Sequence, residues 1–225
     1  MMHFPPETLT FLRGIAEHNE KAWFDDNRAL YEAGYVEPGR AFVEAVGPQL
    51  RAISPEVQFA PKINGSVSRI NRDIRFSKDK RPYKSHLGLW FWHGDKKSWS
   101  APGFYFHVSA EEVFIATGMY GLDKDRLETF RSAIVLGRSG RALVDAVAQV
   151  RAAGGYTIGE KTRKLMPRGF EAPADRAEFL LYEGLTASIR LPASEALEPG
   201  FSELCAAHFS AMWPIGRWLL AELGT

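Results

Sequence analysis

Between Gly103 and Gly118 two strand-like runs follow one another with almost nothing between them. Gly103-Phe104-Tyr105-Phe106-His107-Val108-Ser109 and Val113-Phe114-Ile115-Ala116-Thr117-Gly118 are separated only by Ala110-Glu111-Glu112. A link that short joins neighbouring antiparallel strands, so the runs predict a hairpin and, with it, a sheet. Alternation along the first run puts Phe104, Phe106 and Val108 on one face and Tyr105, His107 and Ser109 on the other. If the phenylalanine face is core, Tyr105 and His107 look out on a face where a ligand could lie.

The remaining chain fits helices around that sheet. Leu9, Leu12 and Ile15 are spaced for a helix over residues 6–16, with Pro6 suited to its first turn. Asn19-Glu20-Lys21 reads as the cap of a second helix carrying Trp23, Phe24, Leu30 and Tyr31. A third is expected from about Pro38 to Ile53, stopped by Ser54-Pro55. Leu87 to Trp92 reads as a strand. After the hairpin come helices from Asp123 and from Ser139, each opened by a capping residue, and a short strand or turn within 156–165. A helix over 175–182 and a strand over 185–191 follow. A last helix spans about 201–223, with Pro214 either kinking it or starting another. Strands grouped centrally between helices predict an α+β fold: a central antiparallel or mixed sheet covered by N-terminal and C-terminal helices. The 225 residues carry no linker-like stretch and are expected to form a single domain, 1–225.

The first residues show no basic and apolar leader, and no run approaches the roughly 18 apolar residues of a membrane span. One cysteine, Cys205, cannot form an internal disulfide and sits among apolar helical neighbours as a filler. The expectation is a cytoplasmic protein with no membrane partner.

Charge is distributed unevenly. Lys62 to Lys84 holds eight basic residues (Lys62, Arg69, Arg72, Arg75, Lys78, Lys80, Arg81, Lys84) against Asp73 and Asp79, whereas the remainder has 20 basic and 25 acidic residues. Ile70, Ile74, Phe76 and Tyr83 are interleaved as anchors, so the segment is expected to pack and not to trail as a tail. A helical backbone would align Arg69, Arg72 and Arg75; an extended one would set Arg72 opposite the other two. Guanidinium forks suit carboxylate or phosphate, the lysines add point charges, and Pro82 is expected to turn the lysines back toward the arginines. Three states of the segment stay open: neutralisation within the chain by Asp73, Asp79 and other acids, completion by an external anion, and a solvated basic loop.

Arg69-Ile-Asn-Arg-Asp-Ile-Arg-Phe-Ser-Lys-Asp-Lys-Arg-Pro-Tyr-Lys-Ser-His86 resembles the signature of the uncharacterised family called domain of unknown function 2461. Lys21-Ala22-Trp23-Phe24, Gly103 to His107, and Leu165-Met166-Pro167-Arg168-Gly169-Phe170 extend the resemblance over nearly the whole chain. Asn71 and Ile74 depart from the family pattern, which leaves the charged positions intact. The resemblance implies a compact cytosolic domain and no particular reaction.

The expected ligand-binding set is Arg69, Arg72, Asp73, Arg75, Lys78, Lys80, Lys84 and His86, joined across a cleft by Lys164 and Arg168. Tyr105 and His107 are the candidates for proton transfer, set against ordinary hydrogen-bonded structural roles. The six histidines show no close pairing of the helical zinc type, and no Walker loop, dinucleotide fingerprint or nucleophile elbow occurs, so neither metal nor cofactor is expected. The leading expectation is binding of a small phosphorylated or otherwise anionic molecule. Nucleic acid, with Trp92 and Trp99 free to stack, ranks second because the rest of the chain is mildly acidic. A structural or partner-binding protein with an internal Arg–Asp network is third.

Overall fold

The computed structural model describes residues 2–95 and 101–225, so Trp99 lies outside the described residues. Helices α1 (Pro6–Glu17), α2 (Lys21–Asp26) and α3 (Arg28–Tyr31) lead through a π-turn at Glu32–Val36 into α4 (Glu37–Ile53). Strands β1 (His86–Trp92), β2 (Gly103–Ser109) and β3 (Glu112–Met119) follow, then α5 (Lys124–Val135), α6 (Gly137–Ala153), β4 (Thr157–Ile158), β5 (Leu185–Pro192) and α7 (Phe201–Leu223). The sheet has the order β1-β2-β3-β5-β4, and every pair in it is antiparallel. This is the expected α+β architecture, with helices at both ends of the chain.

Alternation sorts the two faces as the sequence requires. Phe104, Phe106 and Val108 are fully buried, as are Leu87, Leu89 and Phe91 of β1 and Val113 and Ile115 of β3. Helix α7 packs against β3 and β5, α4 against β1, and α1 against β2. Phe106 stacks between Phe4 and Phe42 with ring centroids at 5.8 and 4.7 Å, and Phe104 stacks on Trp213 at 4.3 Å. Aromatic rings of this size bury 150–250 Å² each, so these stacks carry much of the apolar driving force that fixes the helices on the sheet. Cys205 is buried among them. His93, at the end of β1, donates from Nδ1 to the Pro102 carbonyl (2.7 Å), which leaves Nε2 to accept from the Ser54 hydroxyl (2.8 Å).

Several local expectations are corrected. Within the expected Asn19-Glu20-Lys21 cap, Glu20 holds the N-cap position of α2 without a side-chain cap bond, and the Asn19 amide turns instead to the Ile15 carbonyl at the end of α1 and to Tyr83. Ser139 lies inside α6, which starts at Gly137, whereas Asp123 does cap α5 by accepting from the Arg126 N–H. The stretch 175–182 forms only a 3₁₀ turn at Ala177–Leu181, whereas the short strand expected within 156–165 is present as Thr157–Ile158. Of the two alternatives at Pro214, no new helix starts there: Pro214 sits within the single helix α7.

Candidate functional site

The outer face of the sheet opens into a cavity of about 1270 Å³. Strand register builds its floor in two cross-strand rows. Trp90, Tyr105, Ala116 and Ser188 form one; Gly88, His107, Phe114 and Arg190 form the other. Gly103, Ala116 and Gly118 keep the centre shallow in side chains, which leaves a hollow between the larger residues. The His107 and Phe114 rings stack at 5.1 Å, and the Arg190 guanidinium lies 4.6 Å from the Phe114 centroid. Asp123 and Leu127 from the start of α5, with Glu160, Thr162 and Glu183, line the far side.

Polar groups gather near the β1 edge. Tyr105 Oη and His107 Nδ1 are 3.2 Å apart, and the His86 and His107 rings are 4.9 Å apart. His107 Nε2 is 3.6 Å from Glu112 Oε1, whose carboxylate is also held by Arg190. Burial lowers both imidazoles to about 4; the neighbouring His107 and Lys84 add to the effect at His86, and Arg190 adds to it at His107. Burial alone raises the Tyr105 hydroxyl to about 12. At neutral pH His86, His107 and Tyr105 are therefore uncharged, with ring nitrogens and a phenol able both to donate and to accept hydrogen bonds.

A smaller alcove of about 100 Å³, lined by Ser66, Ser68, Lys84, His86, Gly88, Leu89, Trp90 and Tyr105, adjoins this group. Gly88 keeps it open, because a Cβ there would lie 3.3 Å from both Ser68 Oγ and Tyr105 Oη. Ser68 is fixed by Tyr35, whose hydroxyl donates to the Ser68 carbonyl (3.0 Å) and lies 3.2 Å from Ser68 Oγ. Tyr35 is buried, its hydroxyl pushed well up by desolvation, and it stands on the π-turn. Such turns recur at functional sites.

The segment 69–85 is a hairpin excursion from the β1 edge and is not helical. Ser68 N–H donates to the Gly88 carbonyl, Asn71 bridges Tyr83, Arg72 N–H donates to the Pro82 carbonyl, and Lys84 N–H donates to the Ile70 carbonyl. Pro82 is thus on the returning arm, and the chain reverses between 74 and 80, upstream of the expected turn. Ile70 and Tyr83 anchor the base in the core, but Phe76 is 94% exposed and anchors nothing. The carboxylates act within the hairpin: Asp79 holds Arg72 (2.7 Å) and Arg81 (2.8 Å), and Asp73 holds Arg75 (2.6 Å). Those arginines keep both carboxyl groups below their usual range. Lys80 Nζ donates to the Ile74 carbonyl. Arg69 and Lys78 point into solvent.

The structure therefore brings together Lys84, His86, Tyr105 and His107. It places Arg72, Asp73, Arg75, Lys78 and Lys80 farther out on the hairpin arm. Lys164 and Arg168 are exposed on a loop that follows β4, at the other edge of the sheet. Four strand spacings, roughly 19 Å, separate the two edge strands. Among the described residues no three His, Cys, Asp or Glu side chains gather to hold a metal ion. Sequence reading overlooked Phe114, Arg190, Ser68 and Tyr35. The outward alternation of the third and last strands could have flagged Phe114 and Arg190; nothing local marks Tyr35.

Fold and site define an α+β protein with a ligand-sized cleft on the exposed face of an antiparallel sheet. Residues 7–218 match the family described as conserved hypothetical protein (DUF2461), and the chain belongs to that family. A search of the curated proteins finds no match.

Proposed function

We propose that the protein binds a small phosphorylated molecule in the outer-face cleft, with the anionic group in the alcove beside Lys84 and His86. The observation that carries this reading is the convergence of Lys84, His86, Tyr105 and Ser68 on a pocket of about 100 Å³ that adjoins one more than ten times larger. The small space suits one phosphate-sized group. The large one suits the body of a ligand, with Trp90 and Phe114 adding apolar surface to its wall and Glu160 and Glu183 offering acceptors to its hydroxyl or amino groups. An arriving anion favours protonated imidazole, so binding to the neutral histidines takes up protons and tightens as pH falls toward the imidazole range.

The test is thermal stabilisation of the full chain by inorganic phosphate, nucleotides and sugar phosphates at pH 6 and pH 8. Stabilisation that is stronger at the lower pH and lost in Lys84→Ala and Tyr105→Phe supports the reading. No response to any phosphorylated compound removes it. Loss in Arg72→Ala with Lys84→Ala unaffected would move the site out onto the hairpin.

A second reading is favoured by the Arg72–Asp79, Arg81–Asp79 and Arg75–Asp73 pairs: the hairpin charges serve its own shape. In that case Asp79→Asn loosens the hairpin and leaves ligand response unchanged.

A further inference from the structure

The strands that floor the cleft also set three side chains in line for a proton. Tyr105 and His107 stand two residues apart on β2, and Glu112 opens β3 on the same outer face, two residues before Phe114, the partner of His107. Tyr105 Oη lies 3.2 Å from His107 Nδ1, and His107 Nε2 lies 3.6 Å from Glu112 Oε1. The carboxylate draws the single ring proton to Nε2, which leaves Nδ1 to accept from the phenol. Arg190, paired with Phe114 from β5, bonds the same carboxylate oxygen and fixes it. Tyr105 lines both the alcove and the larger cleft, whereas His107 lines the cleft alone. Over the alcove floor at Gly88, Tyr105 comes from the β2 side and Ser68 from the hairpin side, and Lys84 and His86 precede Gly88 along the chain.

A hydroxyl with a base in reach, and a carboxylate behind that base, is the arrangement that activates an otherwise weak nucleophile. His86 also lines the alcove, but among the described residues it makes no ion pair with a carboxylate. We infer that the cleft is the active site of a phosphomonoesterase, in which Tyr105 Oη attacks phosphorus, His107 is its base and Glu112 positions the imidazole. The inference rests on the alcove as the phosphate site. In the first step the Oη–P bond forms, the phenol proton passes to His107 Nδ1, and the ester P–O bond breaks. The alcohol oxygen leaves into the larger cleft and takes a proton from water there. In the second step a water attacks the phosphotyrosyl phosphorus and gives its proton to solvent, the Oη–P bond breaks, and the phenolate recovers the proton from His107. The sum converts a phosphomonoester and water into an alcohol and inorganic phosphate. Burial holds phenol and imidazole neutral at rest, so the proton crosses only as the bond to phosphorus forms. Lys84 supplies positive charge to the phosphoryl oxygens.

The experiment follows nitrophenolate release from p-nitrophenyl phosphate by the full chain, beside thermal scans with inorganic phosphate. The wild type should turn the ester over, and His107→Gln should lower kcat about 100-fold or more with KM little changed. Glu112→Gln should lower kcat by a smaller factor, again at constant KM. Because His107 and Glu112 lie outside the alcove, both variants should keep their stabilisation by inorganic phosphate, and the same scans show that they fold. Wild type quenched in guanidinium chloride during turnover should carry a phosphoryl group on Tyr105, located by peptide mass. If inorganic phosphate stabilises the chain and no nitrophenolate appears, the catalytic inference is overturned while the binding site stands; if neither occurs, both fall. Turnover unchanged in His107→Gln also overturns it, as does a phosphoryl group found on His86, on any other residue, or on none.

Discussion

The side-chain amide of Asn19 holds both backbone polar groups of Tyr83: Nδ2 donates to the Tyr83 carbonyl at 3.1 Å, and Oδ1 accepts from its N–H at 3.0 Å. One residue at the end of α1 thereby substitutes for a missing strand partner. It fixes the returning arm of the basic hairpin, and with it Lys84 at the mouth of the alcove.

Asn19→Ala should leave both groups unpaired beside the buried Tyr83 ring. An unsatisfied buried polar group costs about 1–3 kcal/mol. The thermal midpoint of a chain this size should fall by roughly 2–4 °C per kcal/mol. Amide exchange should quicken across 70–84 and stay slow in the β2–β3 hairpin; uniform quickening would show that Asn19 supports the whole fold.

Phe106 tests the aromatic stack between sheet and helices. Phe106→Ala removes a fully buried ring that meets Phe4, Phe42 and Phe201, and cavities of this kind cost about 3–5 kcal/mol. Urea unfolding should show the midpoint lowered by that cost divided by the slope, with the slope itself little changed.

The imidazoles of His86 and His107 titrate at about 4 in the fold against an ordinary value of 6.5. Between those values the unfolded chain binds more protons than the native one. Their contribution is therefore fully present above about pH 6.5 and is lost as pH falls toward 4, by about 3 kcal/mol per ring at the limit. His93 and His208, also lowered, act in the same direction. Denaturant midpoints measured from pH 7 to pH 4.5 should decline in the wild type and more gently in His86→Gln/His107→Gln. An equal decline in both would place the acid sensitivity elsewhere.

Gly118 has φ of 113°, and a Cβ there would collide with the Leu185 carbonyl across the β3–β5 pair. Gly118→Ala should cost about 1–3 kcal/mol in backbone strain alone. Gly121→Ala, three residues on with nothing within 4 Å, should be neutral by the same thermal assay.

Much of the frame was legible in the chain because it is written at short range. A two-residue period put Phe104, Phe106 and Val108 inward and Tyr105 and His107 outward, and three intervening residues left the hairpin no other pairing. Helical spacing located α1, α4, α5 and α7 to within a residue or two of their observed ends. The short-range rules failed where a side chain's partner lies far along the chain. Asn19 reads as the cap of α2, yet its amide bonds the last turn of α1 at Ile15 and, 64 positions away, both backbone groups of Tyr83. Phe76 reads as an anchor by hydrophobicity and is left in water, because the hairpin base already spends Ile70 and Tyr83 on the core.

The sequence alone determined which strands form, which of their faces is apolar, and that positive charge is concentrated ahead of the first strand. Tertiary structure decided that His86 stands beside His107, that Arg190 covers Phe114, and that Tyr35 reaches Ser68 through a π-turn. Those neighbours depend on strand register and long loop closure. Both are settled by the summed burial of the whole core, and no local stretch of residues carries that sum.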